Sequence, residues 1–600
     1  MINQKSIAVL PFVNMSNNID NEYFCDGITE EIINALTSIQ GLKVIARTSS
    51  FAFKNKNIDV RHIGNQLGVA TVLEGSIRVF KKRIRITAQL INTTDGSHFW
   101  SNNFDRELSN IFELQDEISL LIADKIRENF GHFEVKEQLV EHPNISTQAY
   151  QEFLKAKKLT AQFNKQAILK GISILKNIIE AFPNFALAYI NIHYAYNSMA
   201  AGGLMPVKDA FKKGENYLKK AHQLNVNLPE VYHSYGWNAL NKKWDFKTAS
   251  QHLQKALELK PGYSDAHQKL FITLILEGNL TDANYHIKKA YSLDPLNDLN
   301  NYFMAYNAYV NKDFSGINTY FNRCFEINNQ FMVGYGIYAL ALSLQNKPLE
   351  IINVANNIPE IEGAKVERLI MTTIAYCLQQ ENDKIQANIN ALLLLMESES
   401  RERVSFFLIY IYTLIGSYTK ALDIIETGIL HKEPLMTLLK VDPLLLALQK
   451  FDRFNEYLQI IFERSNSHIS KKEAIVKQLF SKAQEKQYKV LLIKVIEEEQ
   501  LFLNSDLSLR ILAQKIDINA NQMSWLLNSS FKKNFNDFVN QYRINHFKTI
   551  ALNPKFNHIT ILGLAYDSGF NSKSVFNTYF KKNEGITPSQ WVKINKSSLL

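Results

Sequence analysis

The sequence predicts a multidomain, mainly α-helical protein: a small N-terminal α/β domain, then an α-solenoid of paired helices, then a C-terminal all-α domain holding two helix-turn-helix units. Three observations predict this order. Six hundred residues exceed what one hydrophobic core supports. Only 13 prolines and 23 glycines interrupt them, which favours helices. Pro261 and Pro295 stand 34 residues apart at matching places in a repeated pattern.

A hydrophobic fraction of 46% and a charged fraction of 21% exclude long disorder, collagen-like repeats and low-complexity scaffolds. Cys25, Cys324 and Cys377 lie far apart, so neither a disulfide framework nor a thiolate zinc site is expected. They read as reduced thiols of a cytoplasmic protein. The apolar stretches Phe331–Leu344 and Val404–Ile415 are too short and too interrupted to cross a bilayer. Met1–Pro11 reads as a first strand and not as a leader peptide.

Residues 1–135 alternate β-branched runs with helical patterns. Ile7–Pro11 and Leu42–Ala46 read as strands, and Asp26–Ile39 as a helix capped by Asp26 with Glu30 and Glu31 in its first turn. Val60–Leu67 reads as a helix, Val69–Glu74, Ser76–Val79 and Arg83–Ile91 as strands, and Phe112–Phe130 as a long amphipathic helix. Thr93–Gly96 makes a turn closing the domain's last strand pair. The motifs Ile7-Ala-Val-Leu-Pro-Phe12, Ile45-Ala-Arg-Thr-Ser-Ser-Phe51, Leu73-Glu-Gly-Ser76 and Phe112-x-Leu-Gln-Asp-Glu117 resemble the TolB amino-terminal-like domain of bacterial signalling proteins. The resemblance implies the fold; it carries over no ligand.

Residues 145–460 contain the repeat. Ala256 and Ala290 each precede the repeat proline by five residues, and each follows another alanine, Ala249 or Ala283, by seven. Small residues let two helices approach, and a proline ends the second by lacking a backbone donor. Ile317, Phe321 and Cys324 continue the register, with Asn329 at the proline's place. Looser copies surround Gly171–Pro183, Gly214–Ala221 and Gly416–Gly428. The pattern resembles the tetratricopeptide repeat, which implies a TPR-like solenoid whose concave face takes a protein or peptide partner. The alternative is an array that only spaces its neighbours.

Residues 461–487 read as a linker, and 488–600 as the basic domain. From Leu501 onward twelve Lys and Arg face five acids, a surplus of seven out of the chain's net nine. Concentrated positive charge suits a polyanion. Ser508–Lys515 with Asn519–Ser530, and Ile559–Asp567 with Ser572–Lys581, read as two helix-turn-helix units, in which Met523 with Leu527 and Phe576 with Phe580 bury the second helices. The 18-residue segment Phe535–Leu552 between them would span about 27 Å, close to the ~34 Å between successive major-groove faces.

Asp506-Leu-Ser-Leu-x-x-Leu-Ala513, Asn534-Phe-x-x-Phe538, Ala565-x-x-x-Gly-Phe570 and Gly585-Ile-Thr-Pro588-Ser resemble the DNA-binding domain of the AraC/XylS family of bacterial transcription regulators. The resemblance implies base reading by Asn521, Ser524 and Trp525 on the first recognition helix, and by Lys573, Ser574, Asn577 and Thr578 on the second. Lys532, Lys533, Lys581 and Lys582 suit phosphates better. Each has a plainer reading: the amides and lysines as solvated surface, Trp525 as core. Many family members have arginine where Thr578 stands and glycine where Lys532 stands. The first departure removes a bidentate donor and the second puts the turn after the first recognition helix in question.

No phosphate-binding Gly-x-x-x-x-Gly-Lys-Ser/Thr loop, His-Glu-x-x-His pair or Gly-x-Ser-x-Gly elbow occurs. No catalytic residue, cofactor or metal ligand is therefore expected. The expectation is a cytoplasmic, sequence-specific regulator that binds double-stranded DNA, with a protein or peptide on the array. A small-molecule ligand of the first domain and a homodimer are compatible additions, and no membrane is involved. The alternative is a protein-interaction scaffold with a vestigial DNA-binding domain.

Overall fold

A computed structural model describes residues 5–16, 21–130, 139, 144–162, 164–201, 204–240, 244–398, 400–431, 433–462, 480, 482–507, 509–518, 520–533 and 535–597. Residues 1–468 form one compact unit and 469–600 another.

The first unit opens with β1 (Ser6–Val9), β2 (Val13–Asn14), α1 (Glu22–Thr37), β3 (Lys43–Val44), α2 (Arg47–Phe51), α3 (Val60–Leu67), β4 (Thr71–Phe80), β5 (Arg83–Asn92), β6 (His98–Glu107) and α4 (Ile111–Phe130). The sheet runs β3-β1-β4-β5-β6, with β2 beside β4. Pairing is parallel through β1 and antiparallel from β4 onward, with Ile7 opposite Thr71 and Val72 opposite Ile91. Strand alternation explains the arrangement: Ile84, Ile86, Ala88 and Leu90 are buried along β5, and α1 and α4 pack in the same core.

Several sequence expectations shift. The first helix begins a turn early, at Glu22, so Asp26 is no cap: it lies buried within α1, paired with Lys54. Glu30 and Glu31 are likewise past the first turn and are held by ion pairs. The two strands expected around Gly75 are one, β4, because glycine there leaves room for the Phe12 ring and the Thr87 carbonyl. The strand expected over Leu42–Ala46 shortens to Lys43–Val44. β6 is the strand, given no bounds from sequence, that the Thr93–Gly96 turn pairs with β5, and α2 was not anticipated.

Among the described residues eight helix pairs follow: Thr147–Thr160 with Lys165–Ala181 (α5, α6), Ala186–Ala201 with Val207–Leu224 (α7, α8), Pro229–Asn238 with Phe246–Leu259 (α9, α10), Ser264–Glu277 with Leu280–Leu293 (α11, α12), Asp298–Val310 with Phe314–Ile327 (α13, α14), Met332–Leu344 with Pro348–Asn356 (α15, α16), Ala364–Gln379 with Asn382–Leu395 (α17, α18) and Arg401–Leu414 with Tyr418–Leu430 (α19, α20). Ala249, Ala256, Ala283 and Ala290 are fully buried, as are Ile317, Phe321 and Cys324. The small side chains are thus where helices cross. A further periodic signal is present: Asp245, Asn279 and Asp313, at 34-residue steps, each cap the second helix of a pair by accepting from a backbone N–H three residues on. The array ends in 3₁₀ turns Pro434–Lys440 and Leu446–Lys450 and in α21 (Asp452–Phe462).

The α/β domain shares its core with the first pairs, α1 packing Phe24 and Ile28 with Tyr150, Phe153 and Leu154. It also reaches the two proline turns of the repeat. The Gly262 N–H donates to the Thr37 carbonyl at 3.3 Å, and that of Ala46 to Leu293 at 2.8 Å. Lys157 lies 3.1 Å from both Glu30 and Glu31. Burial pushes the Glu30 carboxyl up, but Lys157 and Arg47 more than offset it and hold the group below the usual carboxylate range.

The second unit comprises α22 (Lys482–Glu498), α23 (Leu509–Lys515), α24 (Ala520–Ser530), α25 (Phe535–Leu552), α26 (Ile561–Asp567), α27 (Lys573–Glu584) and α28 (Pro588–Ser597). Of the expected linker, residues 463–479 and 481 lie outside the described residues, while Lys482 already opens α22. No helix among the described residues is long and apolar enough to cross a membrane.

Candidate nucleic-acid interface

The second unit is built twice over the same local plan. In the first copy Ile518 donates its N–H to the Ala513 carbonyl at 3.1 Å, and Asp517 donates to Gln514 at 3.2 Å. In the second, 52 residues on, Phe570 donates to Ala565 at 3.1 Å and Gly569 to Tyr566 at 2.9 Å. Asp517 and Gly569 therefore hold the same place in the turn, and both are left-handed, with φ of 57° and 91°. Ile518 and Phe570, one residue on, turn inward and are buried.

The recognition helices α24 and α27 correspond at an offset of 53, because the second copy has one more residue between turn and helix. Met523 with Leu527, and Phe576 with Phe580, are buried as the i,i+4 spacing predicted. Ser572 caps α27 by accepting from Val575, and Thr560 caps α26 by accepting from Gly563. At the same offset Asn521 matches Ser574, Ser524 matches Asn577, and Trp525 matches Thr578. Six of the seven positions expected to read bases thus form three equivalent pairs, and the seventh, Lys573, matches Ala520.

Lys532 corresponds to Gly585. Both are left-handed, at φ 54° and 74°, and no atom lies within 4 Å of where a side chain on Gly585 would start. The turn that the departure from glycine put in question is thus kept with lysine in it. The backbone energy of a non-glycine residue there is about 1–2 kcal/mol.

Helix α25 is shared between two cores. Its first half gives Phe538 and Val539 to the core of the first copy, and its second half gives Ile544, Phe547 and Ile550 to that of the second. Arg543 stands at the changeover. Its guanidinium donates to the Phe502 carbonyl at 2.7 Å, the Asn504 carbonyl at 2.8 Å and Asn540 Oδ1 at 3.2 Å. Burial lowers its proton affinity without detaching the proton. Gly569 abuts the same turn: a Cβ there would fall 2.2 Å from the Phe502 oxygen. Tyr579 donates to the Asp537 carbonyl at 2.7 Å, and Lys548 pairs with Glu584 at 2.9 Å. Arg543, Gly569 and Tyr579 thus tie the two helix-turn-helix copies together, whereas the Lys548–Glu584 pair lies within the second.

Lys573, Asn577, Thr578, Lys581 and Lys582 are exposed on α27, and Lys532 is exposed after α24. Lys582 is 3.3 Å from Asp537, so part of its charge is answered within the unit. Lys533 is half-buried beside Phe531, Phe538 and Glu497. Trp525 is half-buried, packed against the core of the first copy with its ring 5.7 Å from that of Phe480. The side chains of Asn521, Ser524 and Ser574 lie outside the described residues.

The first unit holds a cleft of about 280 Å³ lined by Tyr23, Asp26, Glu30, Arg47, Lys157, Lys158, Asn191 and Tyr194, among other residues. Arg47 and Lys157 already pair with Glu30, and Lys158 is 3.6 Å from Asp26.

Residues 512–594 match the family of the helix-turn-helix domain, and residues 3–121 match the second domain of HilA/YgeH-like transcriptional regulators. The second match covers the residues that resemble the TolB amino-terminal-like domain. A protein of Rhizobium meliloti (strain 1021) named "Putative adenylate cyclase 3" is 41% identical over 187 residues, 31% of this chain and 32% of that protein. The chain therefore spans about a third of that relative's length. Among solved structures, PilW, a type IV pilus biogenesis factor, aligns over 37% of this chain and 99% of its own at 14% identity and a TM-score of 0.30. A monomeric IFIT1 mutant with Gppp-AAAA aligns over 71% of this chain and 88% of its own at 12% identity and the same TM-score. The amino-terminal match is to a domain of transcriptional regulators and the carboxyl-terminal one to a helix-turn-helix domain, and together they support a DNA-binding transcription regulator.

Proposed function

We propose that the chain is a sequence-specific, cytoplasmic transcription regulator whose two stapled helix-turn-helix units read adjacent major-groove segments of one duplex. The single observation that carries this reading is the duplicated turn, with left-handed residues at equivalent places, set in a unit of concentrated positive charge. Asn521, Ser524, Trp525, Lys573, Ser574, Asn577 and Thr578 are the proposed base readers. Lys532, Lys533, Lys581 and Lys582 are the proposed phosphate contacts, with Lys582 also bracing α27. Because Thr578 offers no bidentate donor, Asn577 and Lys573 carry more of the second copy's reading than its equivalent positions would suggest.

The proposed domains are a TolB amino-terminal-like domain over 1–135, a tetratricopeptide-like array over 145–460, a linker over 461–487 and an AraC-type domain over 488–600. An effector of the first domain would sit in the cleft lined by Tyr23 and Tyr194, where it would compete with ion pairs already made. Mobility shift of the full chain on genomic fragments at moderate salt tests the function. Selection of particular fragments over bulk DNA is expected; uniform binding to all of them refutes sequence reading.

A further inference from the structure

The array does not end by adding another helix pair. After α20 the chain turns back, and residues 433–450 lie against first helices of pairs far upstream. Lys440 Nζ is 3.4 Å from the Glu277 carbonyl, at the end of α11. Asp442 accepts from the hydroxyl of Tyr309 on α13 at 2.7 Å and from that of Tyr410 on α19 at 2.9 Å. Glu433 accepts from Ser405 on α19 at 2.8 Å. Met436, Leu439, Leu445 and Leu448 are buried around these polar anchors.

Two features distinguish this from an ordinary capping segment. The turn bonds described between Met436 and Leu448 stay inside the segment: Met436 donates to Glu433, Leu445 to Asp442 and Leu448 to Leu445. Residues 436–448 are therefore held to α11, α13 and α19 by side chains, and the backbone tie described for the segment is at its start, where the Glu433 N–H donates to the Gly428 carbonyl of α20. Its central group is also a carboxylate buried among hydroxyls, an arrangement that is poor for stability and good for discriminating one occupant from another. Burial raises that carboxyl to about 6, while the two tyrosine hydroxyls and the Leu444 N–H pull it back down.

We propose that the surface formed by α11, α13 and α19 is a peptide-binding site occupied in this structure by the chain's own residues 433–450. Its partner in trans is a leucine-rich peptide that presents one carboxylate among apolar side chains. This goes beyond the DNA-binding reading and stands or falls separately from it.

The test uses the full chain with Leu439→Glu and Leu445→Glu together, which puts charge at buried places of the resident segment and leaves Tyr309 and Tyr410 intact. A fluorescein-labelled peptide of residues 433–450 is expected to bind this variant at least about tenfold more tightly than wild type, and a peptide carrying Asp442→Leu at least about tenfold more weakly. Should the variant fail to fold by circular dichroism, hydrogen exchange of wild type decides. Amides of 436–448 exchanging at least about tenfold faster than those of α19 support a displaceable occupant. Absence of peptide binding to a folded variant overturns the proposal, as does protection of the segment equal to that of α19.

Discussion

Ser49 gives both its backbone N–H, at 2.9 Å, and its hydroxyl to the carboxylate of Asp294, 245 residues along the chain, and the same hydroxyl accepts from the Leu296 N–H at 2.8 Å. One residue of α2 thereby seals the turn at Pro295. Thr37 meets the turn at Pro261, one repeat earlier. The α/β domain is docked on successive copies of the same turn, so the period of the solenoid is also the period of its docking points.

Asp294 is expected to make this docking pH-dependent. Burial raises its carboxyl to about 6, against the opposing pull of Ser49, and the nearby charge of Asp265 adds to the rise. Unfolded aspartate titrates near 3.9. Between those values the folded state holds the proton more tightly, so this group's contribution to stability falls as pH rises from about 4 to about 6 and is level above. In Asp294→Asn that slope disappears. Thermal unfolding of both proteins at pH 4.5 and 7 should show their stability difference changing by roughly 1–3 kcal/mol, with wild type relatively favoured at the lower pH. An unchanged difference would refute the assignment.

Gly569 and Asp517 hold equivalent left-handed places but should respond oppositely to substitution. Gly569→Ala adds a methyl against the Phe502 carbonyl and incurs the backbone penalty as well, for a loss of about 2–4 kcal/mol. Asp517→Gly relieves a left-handed aspartate and should change stability by no more than about 1 kcal/mol. Urea unfolding of the second unit's transition measures both.

Arg543→Lys is expected to be far from conservative. A single ammonium cannot reproduce three directed contacts to Phe502, Asn504 and Asn540. Loss of about 1.5–3 kcal/mol is expected, with the Arg543→Met variant at least as affected. If the staple sets the spacing of the recognition helices, both variants should also lose preference among DNA sites before they lose non-specific binding.

On DNA, Lys581→Ala should weaken all sequences alike and lower the slope of log affinity against log salt by about one. Asn577→Ala should instead alter preference at one base pair by about 1–3 kcal/mol. Fluorescence anisotropy on a selected site and its point variants separates the two. Equal losses on every sequence for both substitutions would defeat the reading role of Asn577.

Much of the fold was legible because its signals are local. Ala256 and Ala290 marked the helix crossings, and Met523 with Leu527 marked the buried side of α24, since residues three or four apart on a helix share a face whatever surrounds them. The capping series Asp245, Asn279, Asp313 was equally legible in principle. Asp26 was misplaced for the converse reason: a buried aspartate paired with Lys54 looks, in sequence, like a cap. Trp525 could be weighed but not resolved, because what it packs on, Phe480, lies 45 residues away in a segment with no periodic signal of its own.

The amino-acid order by itself determined most of the helices and strands, where the repeat turns, and that residues 501–600 hold a duplicated basic unit. Only the tertiary structure decided that Ser49 meets Asp294, that Asp442 lies between Tyr309 and Tyr410, and that Arg543 joins the two halves of the basic unit. Backbone hydrogen bonding and side-chain periodicity act over a few residues and leave their record in sequence. Contacts across a hundred or more residues arise when separately formed surfaces meet, and their partners are chosen by shape and by the need to satisfy buried polar groups.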